Sequence, residues 1–150
     1  MQIRPVRNAD GLVVQELLAE LGYTLVLEAV ERNLERYERD AASVVMLATE
    51  NGKPIAMISG HIIPLIHQEG GLGRITSLVV GKSHRRRGVG TRLTKELELY
   101  FAANGCARIE VTSGERRADA HTFYADVGFR QSGVRLQKET TVLFGDDSEH

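Results

Sequence analysis

The 150-residue sequence lacks the features of composition that are typical of disulfide-rich, membrane or nucleic-acid-binding proteins. Its single cysteine, Cys106, excludes an internal disulfide framework and favours a reducing compartment. It has no tryptophan and only 5% aromatic residues, which leaves few rings for stacking bases. It has no apolar run near the ~20 residues of a membrane-spanning helix, and its first ten residues lack an apolar signal core. We therefore expect a cytoplasmic protein that binds neither a membrane nor nucleic acid.

An excess of charge of one sign is also missing. Lys and Arg number 19 and Asp and Glu number 20, for a formal net charge of -1. Proteins that coat nucleic acid or anionic membranes usually have a basic excess, so any basic site in this chain must be local. Five scattered histidines and one cysteine show no metal-ligand spacing, and we expect no metal site.

The length and the apolar patterning predict one domain with its own core. We place this domain at residues 1–144 and expect a frayed polar tail at residues 145–150. Hydrophobic periodicity predicts the order strand, two helices, three strands, helix, strand, helix, two strands. The predicted strands are residues 2–6, 43–50, 54–63, 74–80, 106–111, 129–133 and 138–144. This order predicts a mixed α/β domain with one central strand-helix-strand crossover.

Two local patterns make the strand predictions specific. Asn51 and Gly52 stand between two apolar runs and readily adopt the positive φ of a tight turn, so the flanking strands are predicted to be antiparallel neighbours. Residues 67–73 are rich in glycine and are predicted to form a loop. In strand 106–111, Ala107, Ile109 and Val111 alternate with polar neighbours, which is typical of a half-buried strand.

The stretch "HRRRGVGTRL", residues 84–93, is the densest basic cluster of the chain and leads into a predicted helix. The start of a helix presents unpaired N–H groups and the positive end of its dipole, which attract phosphate. Gly88 and Gly90 lack the Cβ that would hold a phosphate away from the backbone. The three arginines add charge and paired donors. The pattern predicts a pyrophosphate site, and the alternative is a set of solvated arginines; it matches neither a P-loop nor the dinucleotide fingerprint.

Three segments resemble the GNAT superfamily of N-acetyltransferases. "RRRGVG" resembles the family's Arg/Gln-x-x-Gly-x-Gly/Ala signature, and the preceding "ITSLVV" resembles its splayed fourth strand. "ADAHTFYADVGF", residues 118–129, resembles the segment in which a tyrosine precedes a Gly-Phe pair. The resemblance covers most of the chain. It implies a GNAT fold, a mostly antiparallel mixed sheet with a central acetyl-CoA-binding crossover, and acetyl-CoA as the cosubstrate.

The resemblance also implies roles for individual residues. The backbone of Leu78, Val79 and Val80 would pair with the pantetheine arm of acetyl-CoA like an added strand. Backbone N–H groups and arginine side chains of one loop would bind the pyrophosphate, namely Arg85, Arg86, Arg87, Gly88, Val89, Gly90 and Thr91. Tyr124 would be the general acid near the thioester sulfur, since an unperturbed tyrosine with a pKa of about 10 is protonated at neutral pH.

One position departs from the family pattern. Arg117 stands where the family often has an asparagine that contacts pantetheine, and Ser113 or Arg117 itself are the candidates for that contact.

The acceptor and the base are less defined by the sequence. We expect direct attack of a primary amine on the bound thioester, with the developing oxyanion met by a backbone N–H of the fourth strand. Many relatives have a glutamate on that strand, where this chain has Thr76 and Ser77. We expect an ordered water, held by Ser77, as the base, with Glu110 and His121 as alternatives.

The two N-terminal helices and the loop at residues 64–73 are expected to form the acceptor side. Their glutamates among arginines favour a small cationic amine over a peptide amine: Glu16, Glu20, Glu28 and Glu31. The missing glutamate of the fourth strand leaves a non-catalytic acyl-CoA-binding module as an alternative, and the phosphate loop alone leaves a nucleotide-binding domain. The resemblance is also compatible with a homodimer through the C-terminal strands.

Overall fold

The computed structural model describes residues 1–112 and 118–141, which form five strands and four α-helices. The strands are β1 (Gln2–Pro5), β2 (Ser43–Glu50), β3 (Lys53–Pro64), β4 (Gly71–Val80) and β5 (Cys106–Val111). The helices are α1 (Gly11–Leu21), α2 (Leu27–Arg39), α3 (Val89–Ala103) and α4 (Ala118–Asp126). The predicted order of elements is confirmed as far as α4.

The five strands form one sheet in the spatial order β1-β2-β3-β4-β5. Neighbouring strands are antiparallel except β4 and β5, which are parallel and are connected through α3. β2 and β3 are joined at Asn51 and Gly52, whose φ angles of 53° and 78° lie in the left-handed region that the predicted turn requires. The predicted fold class, a mostly antiparallel mixed sheet with one crossover, is confirmed.

Helices cover both faces of the sheet. α3 buries Leu93, Leu97 and Phe101 completely against one face. α1 and α2 cover the other face through Val14, Leu17, Val30 and Leu34. Adjacent residues of a strand point to opposite faces, and Met57 and Ile58 of β3 accordingly belong to the two different cores. Across residues 1–112 and 118–141, no helix combines the length and the apolar character needed to cross a membrane.

β4 begins at Gly71, three residues before the predicted start at residue 74. The prediction was wrong because it assigned the glycines of residues 67–73 to a loop. Gly73 lies beneath α3, and a Cβ at this position would lie 2.5 Å from two ring carbons of Phe101. Glycine is therefore required here because an aromatic ring lies directly against the backbone of the strand, and not because the chain turns.

β5 starts at Cys106 as predicted, but the expected alternation of its side chains fails at this end. The register between β4 and β5 shifts by one residue and leaves Ala107 without a partner in β4. One extra residue reverses the alternation of side chains along a strand. Ala107 is accordingly exposed, and Cys106 instead packs against the core together with Ile109 and Val111. The predicted inward position was right for Ile109 and Val111 and wrong for Ala107.

The chain after α4 does not form the predicted strands where it is described. Residues 129–133 and 138–141 are not in a strand, so the first predicted strand is wrong. Residues 142–144, and the tail predicted at 145–150, lie outside the described residues. The side chains from 130 to 141 are all exposed, Val134 at 87% and Leu136 at 90%. A strand needs a face that packs against a neighbour, and this segment buries none in its described part.

We predict that Gly73→Ala lowers the free energy of unfolding by about 1–3 kcal/mol, the usual cost of overpacking a core. The reason is the 2.5 Å approach of the added methyl group to the Phe101 ring. Gly71→Ala is the matched control, because its new Cβ would lie 3.4 Å from its nearest neighbour, the backbone oxygen of Ile63. Urea unfolding measures the difference, and equal stability of the two variants contradicts the account of β4.

Candidate active site

β4 is paired along its whole length on one side only. β3 pairs with β4 from Gly71 to Val80 with one interruption, whereas the last pair between β4 and β5 joins Ile75 to Val111. On the β5 side, residues 76–80 therefore have no strand partner in the described part of the chain. The backbone groups that face this side, apart from the Val80 oxygen, are available to an extended ligand. This segment contains the three predicted backbone contacts, Leu78, Val79 and Val80. Ser113 and Arg117, the candidates for a further contact, lie outside the described residues.

A β-bulge stands where β4 leaves β5. The register between β3 and β4 shifts at Thr76, which has no partner of its own in β3. A bulge bends its strand and increases the local twist. Thr76 directly follows Ile75, the last residue that β4 pairs with β5, so the bulge marks the point of divergence. Sequence analysis missed the bulge because it is a property of strand pairing and not of residue type.

The loop after β4 ends at the start of α3. Gly88 is the N-cap of α3, with a φ angle of 77°. The N–H of Arg92 donates to the backbone oxygen of Gly88 at 3.1 Å. The N–H groups of Val89, Gly90 and Thr91 precede it in the first helical turn, where an α-helix offers no partner of its own. With the helix dipole, they form a site that favours an anion.

Glu50, the last residue of β2, contacts the arginine loop. The Arg87 guanidinium donates to its two carboxylate oxygens at 3.0 and 3.4 Å. His84 Nε2 lies 3.4 Å from the same carboxylate. The hydrogen bond from Arg87 is the main reason why the pKa of Glu50 lies below its ordinary value. Because the Glu50–Arg87 pair faces water, an anionic ligand can compete for Arg87.

The other two arginines of the loop differ from Arg87. Arg85 Nε donates to the backbone oxygen of Val80 at 3.0 Å and so ties the loop to the end of β4. Arg86 has a φ angle of 63°, which is uncommon for a residue with a side chain, and it is exposed. All three predicted pyrophosphate-binding arginines are thus at one end of the sheet, and two of them have intramolecular contacts.

α4 packs over the junction of β4 and α3. A Cβ on Gly90 would lie 3.4 Å from the Phe123 ring and 3.7 Å from the Val80 side chain. Tyr124 is half-buried, with its ring centroid 5.2 Å from that of Phe123 and 5.6 Å from that of Phe129. The helix that carries the predicted general acid therefore contacts the predicted phosphate loop. The role of Tyr124 as the acid stays a prediction.

A chain of polar side chains lies where α2 meets the sheet. The Tyr37 hydroxyl is 2.9 Å from His61 Nε2, and His61 Nδ1 is 3.0 Å from the Ser43 hydroxyl. Ser43 in turn donates to Asp40 Oδ2 at 2.7 Å. Sequence analysis missed this chain, since Tyr37 follows the apolar spacing of its helix and His61 stands among apolar residues. Only the antiparallel pairing of β2 and β3 brings Ser43 and His61 together.

The polar chain is continuous with a hydroxyl cluster at the bulge, formed by Tyr37, Ser59, Thr76 and Ser77. The Ser59 hydroxyl is hydrogen-bonded to the hydroxyls of Thr76, at 2.8 Å, and of Ser77. Burial raises the pKa of Tyr37, and hydrogen bonds from Thr76 and Ser59 oppose that effect. The Tyr37 hydroxyl therefore stays protonated at neutral pH and lies beside the point where β4 diverges.

The predicted candidates for the base occupy different places. Glu110 is ion-paired twice, with Arg74 at 3.0 Å and with Arg108 at 3.4 Å. His121 is exposed on α4. Ser77, expected to hold a water, belongs to the hydroxyl cluster. Of these three, only Ser77 lies at the bulge.

Comparison with known proteins is consistent with this arrangement. The model of the acetyltransferase (GNAT) family matches residues 13–129. The aminoalkylphosphonate N-acetyltransferase of Salmonella typhimurium is 31% identical over 128 residues, which are 85% of this chain and 80% of that protein.

Solved structures show the same fold at low identity. An aminoglycoside 6'-N-acetyltransferase from Acinetobacter haemolyticus superposes with a TM-score of 0.82 at 18% identity, over 95% of this chain and 99% of that chain. An aminoglycoside N-acetyltransferase in complex with CoA superposes with a TM-score of 0.84 at 14% identity, over 94% of this chain and 95% of that chain.

We predict opposite effects on stability for alanine at the two glycines of the loop. Gly88→Ala lowers the free energy of unfolding by about 1–2 kcal/mol, because a side chain is strained at its φ of 77°. Gly90→Ala leaves it unchanged or raises it by up to about 1 kcal/mol, because Gly90 is helical and its new Cβ has ordinary contacts. Chemical denaturation without ligand measures both. Equal destabilisation would show that the backbone needs glycine at both positions.

Proposed function

Because the chain belongs to the acetyltransferase (GNAT) family and is an N-acetyltransferase, we propose that it transfers the acetyl group of acetyl-CoA to a primary amine of a small-molecule acceptor. The amine attacks the bound thioester directly. The observation that carries the proposal is the loss of β5 pairing after Ile75, immediately before a glycine-capped helix start.

The residues at the end of β4 and the start of α3 fit acetyl-CoA. The unpaired edge at residues 76–80 offers alternating N–H and C=O groups, and the pantetheine arm carries amides that match them. The first turn of α3 then offers N–H groups and a positive dipole end to the pyrophosphate. Arg86 and, after competition with Glu50, Arg87 add positive charge there.

Acetyl-CoA supplies the acetyl group as a thioester, whose thiolate is a tolerable leaving group. A backbone N–H near the Thr76 bulge donates to the acetyl oxygen as negative charge develops on it. As the new C–N bond forms and the C–S bond breaks, Tyr124 donates its hydroxyl proton to the sulfur. The nitrogen of the new amide gives up its extra proton to water, and Tyr124 regains a proton from water.

The acceptor side is the sheet face covered by α1 and α2, where the hydroxyl cluster lies. The relatives are named for aminoalkylphosphonates and aminoglycosides, which are small molecules with amino groups. Their chemistry supports a small-molecule amine over a peptide amine. The cytoplasmic location and a homodimer stay predictions, and the described part of the C-terminal segment forms no strand for a dimer to share.

We predict that acetyl-CoA and CoA raise the midpoint of thermal unfolding by several degrees, and that ATP does not. A ligand at 100 times its dissociation constant adds about 2.7 kcal/mol to stability, which corresponds to such a shift in a domain of this size. Differential scanning fluorimetry measures the shift. An equal shift with ATP would favour a nucleotide-binding domain, and no shift with acetyl-CoA would contradict the proposal.

A pair of variants checks the loop in the same assay. Arg86→Gln is expected to weaken CoA binding about 10-fold, the loss of one charge-assisted hydrogen bond. Arg39→Gln is the matched control, since Arg39 is an exposed arginine at the end of α2. Equal affinity of the two variants would remove Arg86 from the site.

We predict that Tyr124→Phe lowers kcat by about 10²- to 10⁴-fold and leaves the affinity for acetyl-CoA nearly intact. The variant removes only the hydroxyl that protonates the leaving thiolate. Tyr100→Phe is the control, because the Tyr100 hydroxyl donates at 3.4 Å to the backbone oxygen of Ala41, in the turn between α2 and β2. Steady-state CoA release with a panel of amines measures kcat. Unchanged turnover of Tyr124→Phe would exclude it as the acid.

A further inference from the structure

The acceptor of an N-acetyltransferase reaches the enzyme mostly as an ammonium ion, and one of its protons must leave before or during attack. The mechanism above assigns no group to that proton. Glu110 is a poor candidate, because two arginines occupy its two oxygens. His121 is exposed on α4, the helix whose Phe123 packs at the start of α3. The polar chain from Tyr37 to Asp40 takes no part in the reaction steps assigned to Tyr124 and the backbone of β4.

The direction of the hydrogen bonds in this chain follows from its far end. The carboxylate of Asp40 can only accept, so the Ser43 hydroxyl donates to it. That hydroxyl has one hydrogen, so it accepts from His61, and the His61 proton is on Nδ1. His61 Nε2 then has a lone pair and accepts from the Tyr37 hydroxyl. Every bond points from Tyr37 toward Asp40.

The Tyr37 end of the polar chain lies beside the proposed site of acetyl transfer. The Tyr37 oxygen lies within hydrogen-bonding reach of Thr76 and Ser59. Thr76 is the bulge residue, and the unpaired edge of β4 starts there. If the pantetheine arm pairs with this edge, the thioester end lies beside the hydroxyl cluster. The Tyr37 hydroxyl is then the first group of the chain that an attacking amine can reach.

We propose that Tyr37 and His61 form a proton relay that deprotonates the acceptor amine, with Ser43 and Asp40 setting the tautomer of His61. In the relay step, an N–H bond of the bound ammonium ion breaks as its proton moves to the Tyr37 oxygen, which leaves the neutral amine to attack. The original Tyr37 proton moves to His61 Nε2, which becomes an imidazolium. The imidazolium then releases its proton to water. The inference rests on the proposed function.

The charges around His61 are compatible with this role. Tyr37 of α2 contacts His61 directly. Asp40, the residue after α2, is connected to His61 through Ser43. On β4 its cross-strand partner is Arg74, a cation that opposes the imidazolium. Glu110 of β5 pairs with Arg74 at 3.0 Å and offsets that effect. The negative charge of Asp40 then stabilises the protonated ring.

The first test is kinetic and uses the full chain with acetyl-CoA and the best amine of the panel. Tyr37→Phe and His61→Gln are expected to lower kcat by about 10²-fold or more at neutral pH, with the dissociation constant for CoA unchanged. The deficit shrinks as the pH rises toward the pKa of the amine, because a growing share of the amine is then already neutral when it binds and the relay has no ammonium proton to remove. Tyr100→Phe is the matched control, because it removes a hydroxyl from α3, outside the segments expected to form the acceptor side.

The results separate the relay from the function on which it depends. If the wild type releases no CoA with any amine, the proposed function fails. If the wild type is active and Tyr37→Phe and His61→Gln are equally active, the relay is wrong, and a water held by Ser77 is the better base. A loss of kcat that does not change with pH also overturns the relay, because damage to the fold is not relieved by deprotonating the amine.

A second test reads the tautomer without measuring activity. The ¹⁵N NMR spectrum of the free protein is expected to show His61 protonated at Nδ1 when its ring is neutral. In Asp40→Asn the amide oxygen must face the Ala42 N–H, which donates to Oδ1 in the wild type at 2.9 Å. The amide N–H then donates to Ser43, which donates in turn to His61, and the ring proton moves to Nε2. A wild-type ring protonated at Nε2 contradicts the proposal.

Discussion

The site depends on one constraint, the unequal pairing of β4 with its two neighbours. β3 holds β4 along its full length, and β5 holds it only up to Ile75. The bulge at Thr76 turns the remaining residues away from β5 without breaking their bonds to β3. In the described part of the chain, residues 76–80 thus have no strand partner on this side, and a side chain, Arg85, contacts the Val80 oxygen. Such an edge is costly unless a ligand, water or another chain covers it.

Several features around the edge follow from this geometry. The crossover connection brings the chain back from β4 to β5 through α3, so the helix starts just beyond the unpaired edge. α4 packs over the same junction through Phe123 and Gly90. On the opposite face of the sheet, α2 places Tyr37 beside the bulge. The polar chain therefore lies at the start of the unpaired edge and the helix start lies beyond its end, although the three come from different parts of the sequence.

Local signals in the sequence predicted the parts that depend on local chemistry. Asn51 and Gly52 predicted their hairpin because the turn needs positive φ, and the arginine-glycine stretch predicted the helix start. The assignment of Gly73 to a loop failed because a glycine is needed there for close packing against the ring of Phe101, which is 28 residues away in the sequence. The polar chain was missed for the same reason, since Tyr37 and His61 become neighbours only when α2 packs on β3. Residues whose role is set by a distant partner carry no local signal.

Amide hydrogen exchange with and without CoA tests the central claim most directly, that CoA adds to β4 like a strand. The account predicts that CoA slows exchange in residues 76–80 and in the first turn of α3, and that ATP leaves residues 76–80 unchanged. Binding of CoA with unchanged exchange in residues 76–80 would contradict the account, since the ligand would then not satisfy the unpaired edge.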